Sequence, residues 1–264
     1  MLDVQASPPT YTELDRSNKI FFQMQDHPSV ARSIIVSEVQ SGRYDEAIIY
    51  YRQFAQDYVD FLSTIKTTKN DYEDAAYTNS DILENRQRIA LSTFLGPTVD
   101  ALTSHGQLDM AVNLLDQEMR RSFLTRNNQI MLVFSRAQLR ARAEAFEDAI
   151  VDYTTVLNNF SADRAEVSGT RQTAFYERAI SYQRLGRYAE ARSDMDNYFS
   201  VIPSNWHEGQ VSNQLGNAFI FRIEMTALAG DKATAERHIG TLQALYDRFN
   251  QECTPCAGLR GLLN

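Results

Sequence analysis

The sequence predicts an all-α chain built as a solenoid of helical hairpins. Three observations predict it. A motif of a small residue with an alanine five positions on recurs five times. Apolar residues spaced three or four apart flank each copy, which is the period of a helix with one face to hide. Strand signals are negligible throughout.

The five copies are QSGRYDEAI at 40–48, SHGQLDMAV at 104–112, RAEAFEDAI at 142–150, RLGRYAEAR at 184–192 and LAGDKATAE at 228–236. The small residue falls at Gly42, Gly106, Gly186 and Gly230, with Glu144 the exception, and the alanine falls at Ala47, Ala111, Ala149, Ala191 and Ala235. Between two antiparallel helices the chain must reverse in a few residues, through backbone angles that glycine adopts cheaply. Two places later Tyr44, Leu108, Phe146 or Tyr188 opens the second helix, whereas the fifth copy has Lys232. The alanine lets two helix backbones approach closely.

Taken in order, the pattern predicts helices over 11–24, 29–40, 44–68, 71–95, 98–105, 108–123, 127–142, 145–158, 171–185, 188–201, 209–228 and 231–250. Gly96-Pro97 is expected to break the fourth, because proline lacks the donor that the helix ladder needs. Phe175, Ala179, Tyr182 and Leu185 define the stripe of one helix, and Ala191, Met195, Tyr198 and Ile202 that of the next. Neither helix can bury its face alone, so neighbouring hairpins are expected to stack. Successive turn positions lie 64, 38, 42 and 44 residues apart. All exceed the roughly 34 of a minimal two-helix unit. The organisation expected is therefore an N-terminal segment at 1–27, a repeat domain at 28–250 with an irregular insert near 62–97, and a tail at 251–264 that reads as truncated.

Composition narrows the function classes. A formal charge of −8 disfavours a general nucleic-acid or anionic-membrane binder, since the summed field repels polyanions. Acids cluster at Asp71, Glu73, Asp74, Asp81 and Glu84, while Arg120, Arg121, Arg126, Arg136, Arg140 and Arg142 follow one another without an intervening acid. Both runs read as solvated helix faces, with a polar docking surface as the alternative. No run of apolar residues is long enough to span a bilayer, and the N-terminus lacks a basic region followed by an apolar core. The compartment stays open, because an export signal or lipid anchor removed ahead of Met1 would leave the same sequence.

Cys253 and Cys256 are spaced for a local disulfide or half a metal site, but two ligands do not make a structural zinc site. Ala257 follows where haem attachment needs histidine, and no strand precedes the pair as thioredoxin-like chemistry would require. A disulfide is the best form of the structural reading. The four histidines, His27, His105, His207 and His238, fall in separate units, and none begins a metal or catalytic motif. His105, at a helix end, can meet terminal carbonyls. Trp206-His207-Glu208 reads as the start of a helix, with an exposed interaction element as the alternative. No phosphate-cradling loop or nucleophile elbow occurs, so neither enzyme chemistry nor a cofactor is expected.

The motif resembles tetratricopeptide repeats. Residues 172–205 match best, through Ala179, Leu185-Gly186, Tyr188, Ala191 and Pro203. Residues 130–163 match through Ala137, Phe146, Ala149 and Tyr153, and 28–61 through Gly42, Tyr44, Ala47 and Tyr51. The resemblance covers about two thirds of the chain and weakens at Gly96-Pro97 and Lys232. It implies a right-handed α–α solenoid whose first helices line a concave surface that receives a peptide or another protein. Carried over, the groove positions are Met131, Phe134, Gln138, Ala141 and Arg142 in the third unit, Thr173, Tyr176, Ile180, Gln183 and Arg184 in the fourth, and Asn217, Ile220, Glu224 and Leu228 in the fifth. Tyr176 and Ile180 stand where a chaperone-tail clamp would place lysine and asparagine, which argues against that activity.

The function expected is a non-enzymatic scaffold or adaptor for a peptide or protein. Phe134 and Tyr176 are either anchors for that partner or packing for their own repeats. Two alternatives remain: a self-association or assembly module of an envelope or multiprotein complex, and a regulatory domain of a larger protein.

Overall fold

The computed structural model describes residues 27–64, 79–121, 124, 126–159, 168–202 and 213–263. The expected N-terminal helix at 11–24, Pro203 and the Trp206-His207-Glu208 string lie outside the described residues, as does most of the acidic run. Among the described residues there are eleven helices and no strand. The chain divides into two compact units, residues 1–124 and 125–264.

In the first unit, α1 (His27–Gln40) pairs with α2 (Tyr44–Thr64), and α3 (Asn79–Ser104) lies against both and carries α4 (Leu108–Glu118). Its core is built from Ile35, Val39, Tyr51, Phe54, Phe94, Leu102, Leu114 and Leu115, all buried. The expected break at Gly96-Pro97 does not occur, and α3 runs through Pro97. An internal proline costs about 3 kcal/mol. Here the turns on either side bury Ala90, Leu91, Phe94, Leu95, Val99, Ala101 and Leu102, which offsets that cost. The Thr98 hydroxyl donates to Phe94 O at 2.8 Å, a side-chain bond within the turn that proline disturbs. The described part of the expected insert is thus the leading length of a hairpin's first helix.

In the second unit, α5 (Arg126–Arg142), α6 (Phe146–Asn159), α7 (Ser168–Arg184), α8 (Tyr188–Ser200), α9 (Asn213–Leu228), α10 (Lys232–Arg248) and α11 (Thr254–Gly261) each pack on the next. First helices also touch, α5 on α7 and α9 on α11. The expected stripes are buried at Phe175, Ala179, Ala191, Met195 and Tyr198 and half-buried at Tyr182, Leu185 and Ile202.

Every hairpin turn uses one backbone device. Gly42, Gly106, Glu144, Gly186 and Gly230 have φ of 75°, 74°, 59°, 71° and 88°. The following amide donates five residues back, from Arg43, Gln107, Ala145, Arg187 and Asp231 to the carbonyls of Glu38, Leu102, Arg140, Tyr182 and Thr226, at 2.9–3.1 Å. This is the Schellman closure, which satisfies carbonyls that a helix end leaves orphaned. The five motif alanines are all completely buried, each donating its amide to the carbonyl of the residue just before the second helix.

The tail is a further correction. Asn250 takes a left-handed φ of 53°, Gln251 N–H donates to Tyr246 O, and the chain re-enters a helix with Pro255 in its first turn. This sixth turn carries asparagine in glycine's place, so the motif did not reveal it. Cys256 and Leu259 are buried against the preceding hairpin.

Candidate functional site

The leading helices of the second unit carry the candidate residues, and the second helix of each hairpin holds them in place. Arg178 on α7 makes paired bonds of 2.7 and 2.6 Å to the Asp194 carboxylate on α8. Its third nitrogen donates to Thr154 Oγ1 on α6 at 2.8 Å, tying one hairpin to the previous one. The same clasp joins Arg136 and Arg140 on α5 to Asp152 on α6, at 2.6–2.8 Å. Arg222 on α9 reaches Asp196 on α8 at 2.6 Å and covers the Phe199 ring. Asp152 and Asp194 are almost wholly enclosed. A guanidinium fork suits such bidentate, desolvated pairing where lysine would not. The acid-free arginine run is therefore mostly internal: Arg121 pairs with Glu118 and Arg126 bonds Asn159, as well as the two arginines on Asp152.

The expected groove residues separate into two groups. Met131, Arg142, Arg184, Asn217 and Leu228 are exposed. Phe134, Gln138, Ala141, Thr173, Tyr176, Ile180, Gln183, Ile220 and Glu224 are half-buried. Phe134 packs edge-on to Tyr153, with centroids 6.1 Å apart, and Tyr176 lies 5.7 Å from Tyr198 and 5.8 Å from Phe221. Phe134 is thus held by its own repeat, and Tyr176 by its own and the next, rather than standing free. Ile180 and Ile220 pack against the core, and the Thr173 hydroxyl turns back to Gly169 O at 2.9 Å.

Around Tyr176 the structure gathers groups that the motif did not single out. Burial raises the pKa of the Tyr176 phenol, and Glu177 and Glu224 raise it further. Burial also raises both carboxyls, with Arg142 acting in the opposite direction on Glu177. Tyr198 is raised by burial and then by Tyr176, while Gln172 lowers it. The Tyr153 hydroxyl, fully enclosed and within the field of Glu177 and Arg142, has no hydrogen-bond partner among the described residues. Glu177 was missed because it follows Tyr176 directly and occupies no motif position. The repeat of Arg136-x15-Asp152 as Arg178-x15-Asp194 was the legible signal that these arginines are engaged elsewhere.

The remaining candidates carry less chemistry. Cys253 and Cys256 form a disulfide across the start of α11, and both are buried, which shields the sulfurs from an attacking thiolate. His105 Nδ1 lies 3.0 Å from Ala101 O at its helix end. Burial lowers the pKa of His238, which packs edge-on to Phe219. Among the described residues no cluster of three metal-binding side chains occurs, and no helix is long and apolar enough to cross a membrane. In the first unit a cavity of about 240 Å³ opens between α2, α3 and the residues after α4, lined by Tyr51, Arg52, Gln56, Leu91, Glu118 and Arg121.

No protein-family model matches the chain, and no curated protein matches its sequence. Solved structures do. One, from Podosopora anserina, consists of nearly identical TPR-like repeats of a kinesin light chain type; it has 15% identity, covers 87% of this chain and 100% of its own, and superposes with a TM-score of 0.51. Another is BtubC (BKLC) from P. vanneervenii, with 15% identity, 91% of each chain covered and a TM-score of 0.53. The fold is tetratricopeptide-like. These likenesses establish the all-α repeat solenoid and stop at the fold.

Proposed function

We propose that this tetratricopeptide-like chain is a non-enzymatic scaffold that binds a peptide or protein segment on the concave face made by α5, α7 and α9. The observation that carries the reading is the division of labour among charged side chains. Arg136, Arg140, Arg178 and Arg222 are consumed in clasps between helices. Arg142 and Arg184, at equivalent positions near the ends of α5 and α7, are exposed and make no ion pair among the described residues. A wall fixed from behind keeps its front free for a partner and loses little entropy on binding. Phe134 and Tyr176, already packed, then act as rigid parts of the floor.

The test is recovery of partners from the native source on the full chain, repeated with Arg142→Glu and Arg184→Glu combined. Both side chains lie outside the core, so helicity and melting are expected to stay unchanged while capture falls by about tenfold or more. Capture that persists at full strength would remove the proposed face.

A second reading is self-association through the last hairpins, favoured by the exposed apolar side chains Leu228, Phe249 and Leu262. It predicts a concentration-dependent mass that Leu228→Asp with Leu262→Asp abolishes. A mass independent of concentration rejects it.

A further inference from the structure

We infer that the face proposed above takes a cationic side chain of its partner, an arginine or lysine, seated against the Tyr176 ring between Glu177 and Glu224. The inference rests on that docking face and names the chemistry of its occupant.

Among the described residues, the other carboxylates of these hairpins that are not exposed are matched. Asp152 holds two arginines, Asp194 holds Arg178, Asp196 holds Arg222, Asp231 meets Arg192 at 2.9 Å, and Glu190 meets Arg187 at 2.8 Å. Glu177 and Glu224 are half-buried and make no ion pair or hydrogen bond through their carboxylates among the described residues, although each has lost part of its water. Glu177 follows Tyr176 directly, and Glu224 lies one helical turn on from Phe221, whose ring centroid is 5.8 Å from that of Tyr176, so the two acids flank one ring from neighbouring first helices. Burial strips water from each of these carboxylates, and a partner's cation beside them offsets that cost.

A second observation, an unpartnered hydroxyl, points to the Glu177 side of this spot. The Tyr153 hydroxyl is enclosed beside Phe134 without a partner among the described residues, in the field of Glu177 and Arg142. Buried hydroxyls in folded proteins are nearly always satisfied, so an orphan here marks a bond still to be made. A guanidinium or ammonium supplies only donors, which is what two carboxylates and a phenol oxygen lack. The Tyr176 ring, held edge-on by Phe221 and tilted against Tyr198, offers an aromatic surface for the cation. Arg142 and Arg184 are then left for carbonyls of the same segment, which fixes its course along the helices.

The probe is a fluorescent dodecapeptide of alternating arginine and glycine, with citrulline–glycine and glutamate–glycine peptides of equal length, titrated against the full chain at constant ionic strength. The arginine peptide is expected to bind, and the citrulline and glutamate peptides to bind at least about tenfold more weakly. Glu177→Gln with Glu224→Gln is expected to erase that preference. Glu147→Gln with Asp148→Asn, which removes the same charge from exposed positions on α6, is expected to preserve it. The inference is overturned by no binding of the arginine peptide, by unchanged preference in the Glu177/Glu224 variant, or by equal loss in the α6 variant, which would reduce the effect to net charge. Should any of these occur while Arg142→Glu/Arg184→Glu still releases native partners, the docking face stands and only its cation chemistry is lost. If that arginine pair also leaves capture intact, the face itself is wrong.

Discussion

Glu144 occupies a backbone position where every other hairpin turn of the described chain carries glycine or asparagine. Its φ of 59° costs an L-residue roughly 1 kcal/mol. Glu144→Gly is therefore expected to stabilise the fold by about 1 kcal/mol in urea titration, and Gly186→Ala to destabilise it by a similar amount. No atom lies within 4 Å of a Cβ built on Gly186, so the loss comes from its φ of 71° and not from a clash. Glu177 gives a second prediction at this scale. Its carboxyl pKa is raised, so the folded chain holds the proton more tightly than the unfolded one, and stability falls as pH climbs through the raised value. Glu177→Gln, neutral at any pH, should melt above the wild type near pH ~7, and the gap should shrink as pH falls towards ~4. A gap that does not change with pH would show that the carboxyl is not burdened by burial.

Between elements, the hairpins are joined by two kinds of contact with different sensitivities. Ala191 is fully buried where α8 meets its neighbours, and Ala191→Leu is expected to cost about 1 to 3 kcal/mol through overpacking. The Arg178–Asp194 clasp is ionic and mostly enclosed. Arg178→Met strands a carboxylate in the core and is expected to cost about 3 kcal/mol or more, whereas adding Asp194→Leu recovers most of that. The double change separates a clasp that specifies pairing from one that supplies net stability, read from denaturant midpoints. Arg187–Glu190 is the contrast: both side chains are well exposed, so Arg187→Ala should move stability by less than about 0.5 kcal/mol. Pro97 belongs to this scale too, since burial on both sides of it decides that α3 continues.

Across the whole molecule, two compact units divide the chain, and a perturbation in one repeat is expected to spread chiefly to its sequence neighbours. The disulfide tests this. Cys253→Ser with Cys256→Ser opens a four-residue loop, a loss of about 2 kcal/mol at most. Amide exchange should accelerate over α10 and α11, which share contacts, and stay unchanged over α1 and α2. Uniform acceleration through both units would show one cooperative body instead.

The sequence by itself determined the helical hairpins, the places where they turn and the alanines that let them meet. Those features answer to backbone geometry and close approach within a few residues, so the exception at Glu144 was legible from its neighbours. The helix through Gly96-Pro97 and the sixth turn at Asn250 were hidden because packing overrode one local signal and asparagine replaced the other. Only the tertiary structure decided which charges are spent and which remain. Asp152 and Asp194 lie 12 to 16 residues from the arginines they hold, and Glu177 and Glu224 stand 47 residues apart in the chain, yet both act on one tyrosine. Charge pairing depends on distance and solvent in three dimensions, which residue order alone does not specify.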